Sequence, residues 1–137
     1  TIVDKAGSGG TNVKIGNTST YVSDGGNVTQ NTVQGLAKNW LNMNAGTSIT
    51  DSFNTASVSD FGTGDHGVGL TNNMSNADHS HVGSTIKGGG APGSSNVGLV
   101  TMGEGATTSG YGVGTVANDT SAADRSKIYT AVFGDLA

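Results

Sequence analysis

The chain contains no cysteine, a single proline, a single tryptophan and a single glutamate, Glu104. Without cysteine there is no disulfide staple, no thiol nucleophile and no Cys-ligated zinc. Cations are few as well: six basic residues stand against ten acidic ones, with no basic run, which argues against nucleic acid as a partner. No apolar stretch approaches the roughly 18 residues of a membrane helix, and Thr1-Ile2-Val3-Asp4-Lys5 lacks the build of a secretory signal, so no membrane insertion is expected. Strong helix formers are thinly spread, and Gly or Thr interrupts nearly every helical window. Large apolar residues are scarce too. Leu, Ile, Val and Phe together number 26 of 137, close to the fraction at which chains become disordered, but a net charge of −4 is too small to force expansion.

What fills the chain instead is 24 Gly, 18 Thr, 15 Ser and 13 Asn. β-branched residues punctuated by Gly, Asn and Asp read as many short strands joined by tight turns. The expected fold class is therefore all-β, a small antiparallel β-sandwich-like domain with a thin N-terminal segment. So lean a core is marginal against backbone entropy in a monomer, and with no disulfide available the expectation is a homotrimer.

Residues 1–35 form an N-terminal attachment or stalk segment, with strand candidates at 12–15, 20–22 and 27–30 and a hairpin signal at Asp24-Gly25-Gly26. Residues 36–137 form the β domain. In its first strand, Leu36 and Trp40 fall on one face and Leu41 and Met43 on the other. Further strands are expected over 52–60, 66–70, 79–86, 97–102, 111–116 and 126–133, with Gly62-Thr63-Gly64 as a reversal and 88–95 as a surface loop. Trp40 and Phe53 are too large to leave exposed in a chain so poor in aromatics, and are expected as core anchors. Carbohydrate stacking is the sharper but weaker alternative for Trp40.

Four motifs stand in order between Ala37 and Gly83: Ala37-Lys38-Asn39-Trp40 with Asn42 and Asn44, Asp51-Ser52-Phe53-Asn54, Val58-Ser59-Asp60-Phe61-Gly62-Thr63-Gly64-Asp65, and Met74-Ser75-Asn76-Ala77. Ala131-Val132-Phe133-Gly134 follows near the end. In these residues the chain resembles the C-terminal β domain of tailed-bacteriophage fibre and other virion structural proteins. His66 and His79 stand where that family more often has an aromatic. The resemblance implies a structural component of a tailed-phage virion, a short fibre-type appendage for host adhesion, or alternatively a capsid decoration (cement) or head-fibre protein. It implies location in the virion, self-association, contact with other virion proteins and contact with a host surface glycan or protein.

Only two clusters carry ligand or catalytic potential, Asp65-His66 and Asp78-His79-Ser80-His81. No sequence context activates a particular serine, and Glu104 has no evident carboxylate partner for glycoside hydrolysis, so a glycan-active enzyme is the weaker alternative and no enzymatic activity is expected. His79 and His81 are the metal candidates. At positions i and i+2 of a strand they would share a face, and three copies about a threefold axis could offer six imidazoles to one ion. No other cofactor is expected.

Overall fold

Alternation of large and minimal side chains builds the strands. In Gly110–Val116, Tyr111, Val113 and Thr115 point into the core while glycines occupy the positions between them. Asp65–Leu70 follows the same rule with His66, Val68 and Leu70 inward, and Lys127–Phe133 turns Ile128, Thr130 and Val132 inward. A period of two with one face apolar is the signature of a sheet packed on one side.

The computed structural model describes residues 20–22, 29–31, 35–87, 99–101, 105–117 and 119–135. The chain divides into two compact units, Thr1–Leu36 and Ala37–Ala137. In the first, β1 (Thr20–Val22) pairs antiparallel with β2 (Thr29–Asn31). In the second, β3 (Ala37–Met43), β4 (Ile49–Phe53), β7 (Ser80–Ile86) and β10 (Lys127–Phe133) form one antiparallel sheet in the order β4-β3-β10-β7. The other sheet runs β5-β6-β9-β8, from β5 (Thr55–Gly62), β6 (Asp65–Leu70), β8 (Leu99–Thr101) and β9 (Gly110–Val116). The result is an all-β sandwich-like domain, with no helix among the described residues.

Leu41, Met43, Val68, Leu70, Met74, Tyr111, Val113, Ile128 and Val132 form the core between the sheets. A polar staple crosses it. The Tyr111 hydroxyl on β9 donates to Asn39 Oδ1 on β3 (2.6 Å) and sits 2.9 Å from Thr130 Oγ1 on β10. The Asn39 amide donates in turn to the Phe53 carbonyl (2.8 Å) and to Thr55 Oγ1 (2.9 Å). Burial, only partly opposed by the Thr130 hydrogen bond, raises the Tyr111 pKa to about 12. The phenol therefore stays a neutral hydrogen-bonding group, as a buried polar network requires.

The structure corrects three expectations. Trp40 and Phe53 are not core anchors: they are 39% and 51% exposed. The reason is parity. Asn39, Leu41 and Met43 take the inward positions of β3, so Trp40 turns outward and pairs there with Phe53 across the β3–β4 ladder. Residues 52–60 are not one strand, because Asn54, at φ 59°, ends β4 and passes the chain into β5 of the other sheet. Its side chain braces this corner, donating to the Lys38 carbonyl (2.9 Å) and accepting from the Asn72 backbone N–H (2.7 Å). Leu36, finally, lies before β3 and is exposed. The reversal at Thr63-Gly64 does form, joining β5 to β6. The expected strand at 12–15, the turn at 24–26, the loop at 88–95 and Glu104 lie outside the described residues.

Candidate functional site

The two histidine clusters fare differently. Asp65 and His66 are adjacent in β6 and so face opposite ways: Asp65 is exposed, whereas His66 is fully buried. His66 Nε2 donates to the Ala45 carbonyl (3.1 Å), and its Nδ1 has no partner among the described residues. The pair cannot act together.

His79 and His81 do come together. Their rings stack with centroids 4.6 Å apart and planes 18° from parallel, and His79 Nδ1 meets His81 Nε2. His79 Nε2 donates to the Thr107 carbonyl (3.0 Å), which makes its Nδ1 the acceptor and His81 Nε2 the donor. His81 pairs with Val132, an inward residue, and packs edge-on against Tyr111 at 4.8 Å. Its Nδ1 is buried without a partner. Burial first, and the neighbouring His79 second, lower the His81 pKa to about 4. A proton there would be a charge with no acceptor in a partly desolvated place. Among the described residues no three His, Cys, Asp or Glu side chains converge as a metal group, so a metal held by His79 and His81 would need ligands from another copy.

The more developed surface was not visible in the sequence as a site. On the outer face of the second sheet, Gly67 stands opposite Gly112 and Gly69 opposite Gly110, so the floor is bare backbone. Two register shifts in β5 shape its wall. Ala56 is the extra residue of the first, after which Ser57 stands opposite Gly69; Phe61 is the extra residue of the second, between Asp60 and Gly62. Bulges of this kind re-aim side chains. Here the Phe61 ring is laid across Gly67, where an added Cβ would come within 2.7 Å of it, and the Ser57 hydroxyl lies 2.6 Å from the Cβ position of Gly69. The glycines are therefore needed for the wall to close over the floor. With Ser59 and Thr107 on the rim, this makes a trough of about 380 Å³.

The outer face of the first sheet is different. Phe53, Trp40, Ala131 and Val82 stand in register across all four strands, a row of apolar side chains turned to the outside. Beside it, Val82, Ser84, Tyr129 and Ala131 line a hollow of about 340 Å³. Among the described residues no helix is long and apolar enough to cross a membrane. Compared with family models, with curated proteins and with solved structures, the chain matches none.

Proposed function

We propose that this chain is a non-catalytic structural component of a tailed-phage virion, a short fibre-type appendage that adheres to the host surface. The observation that carries the reading is the glycine-floored trough: two bulges and a largely glycine floor make a contact surface with no His, Lys, Arg, Asp or Glu among its described lining residues, and its one phenol, Tyr111, is held neutral by burial. Such a surface can hold a ligand, while its Ser57, Ser59 and Thr107 hydroxyls have no basic side chain among the described lining residues to activate them. The resemblance of the ordered motifs to those of phage fibre domains supports the same reading, with residues 1–35 as the attachment segment. The working form is a homotrimer, and the exposed row Phe53, Trp40, Ala131, Val82 supplies apolar surface for copies to cover.

The second reading is a capsid decoration protein. The same row favours it, because exposed apolar side chains in register would equally seat the domain on another virion protein. Two measurements test these readings. The purified chain should compete with particles for adsorption to host cells, and an asymmetric reconstruction should place it on the tail. Placement across the capsid lattice, without competition, would establish decoration instead; absence from the particle would overturn both.

A further inference from the structure

We propose that the trough on the outer face of the second sheet binds an uncharged glycan, with one pyranose ring seated on the glycine floor against Phe61. The inference rests on the adhesion reading and names the ligand class that its surface takes. Four features select it. The Phe61 ring and the Ser57 hydroxyl lie over Gly67 and Gly69, and beside them Gly110 and Gly112 carry no side chain, so a flat ring set against Phe61 can approach the backbone there. Phe61 is 69% exposed although large aromatics favour burial, and the bulge fixes its ring over that floor. The C–H face of a pyranose is an apolar plate that suits an aromatic ring. Around it, the Ser57 and Ser59 hydroxyls are engaged by no described residue, and they offer both a donor and an acceptor to sugar hydroxyls.

Charge narrows the class. Among the described residues no charged side chain lines the trough, so nothing there offsets the desolvation of a phosphate, a sialic acid or a peptide terminus. The volume of about 380 Å³ falls in the lower part of the small-ligand range. An open trough of this kind binds weakly at each copy, and repeated copies on a particle would supply avidity.

Amide ¹H–¹⁵N spectra of the full chain, titrated with lactose, cellobiose and diacetylchitobiose, test this, with sialyllactose as the charged probe. At least one neutral saccharide should shift the amides of Gly67, Gly69, Gly110 and Gly112 and saturate in the millimolar range, ahead of sialyllactose. Phe61→Ala should weaken that binding about tenfold. Gly67→Ala, whose methyl group displaces the Phe61 ring, should do the same, whereas Trp40→Ala on the other sheet should bind normally. No shift with any neutral saccharide, shifts confined to other residues, or unchanged binding in Phe61→Ala would overturn the proposal. If the chain blocks particle adsorption while the trough ignores every neutral saccharide, the glycan inference falls and adhesion stands. Saccharide shifts in a chain that neither blocks adsorption nor sits on particles would leave the trough and remove adhesion.

Discussion

Neighbouring residues of β3 carry opposite loads. Leu41 and Met43 are core residues, whereas Trp40, the largest side chain in the protein, is a surface residue facing Phe53. Leu41→Ala should therefore cost about 2–5 kcal/mol, and Trp40→Ala only the roughly 1 kcal/mol or less of a cross-strand pair, read from urea melts. These are the losses of the dissociated chain; in the trimer, where copies cover the row, the Trp40→Ala loss should grow with protein concentration, and equal losses in the dissociated chain would mean that Trp40 packs within its own domain. His81 gives the protein a residue-level response to acid. Its folded pKa of about 4 lies below the ordinary 6.5, so the unfolded chain takes up the proton first. Its contribution is whole above about pH 6.5 and drains away as the pH falls toward about 4. Carboxylates titrate near the bottom of that window, so the test is a difference. The loss of stability between about pH 7 and about pH 4.5 should be smaller in His81→Gln than in the parent chain, and equal losses would place the proton uptake elsewhere.

At the scale of elements, one residue decides which sheet a strand joins. Asn54 takes a left-handed conformation between β4 and β5, and its side chain ties the corner to Lys38 and Asn72. Asn54→Ala loses these bonds and retains a φ that alanine disfavours, and should destabilise by about 2–4 kcal/mol in thermal or urea unfolding. Asn54→Gly, which relieves only the backbone, should recover part of that loss. This corner was the hardest feature to read in advance. From Ser52 to Asp60 the apolar residues are Phe53, Ala56 and Val58, and the three-residue step from Phe53 to Ala56, a slip of the period-two pattern, is a faint trace of the change of sheet. The remaining strands were legible because period-two alternation is local, and the β5–β6 turn because Gly62-Thr63-Gly64 supplies residues that accept positive φ. Burial parity was legible for Leu41 and Met43, but size misled for Trp40: with too few large residues to fill both faces, register outranks volume. The trough could not be read from the chain, because it depends on which glycines of β6 meet which of β9.

Across the whole molecule, a lean core and an exposed apolar row point the same way. Sedimentation equilibrium should return a mass of three chains, and Phe53→Lys with Val82→Lys should return one while leaving the far-UV circular dichroism unchanged. A parent chain that is monomeric at micromolar concentration would remove the trimer. The strand order carries a further consequence. The last strand, β10, lies between β3 and β7 in the middle of its sheet, and its partner β3 is the first strand of the domain. During synthesis β3 and β7 cannot be joined into one sheet until β10 has itself left the ribosome. Pairing over such a separation in sequence is slow, with folding times of milliseconds to seconds in small β proteins. Until it happens, Leu41 and Val68 face water, and an open edge on either waiting strand invites β10 from another chain. Domain-swapped assemblies, each borrowing a neighbour's final strand, are thus the form of misassembly to which this topology is most open.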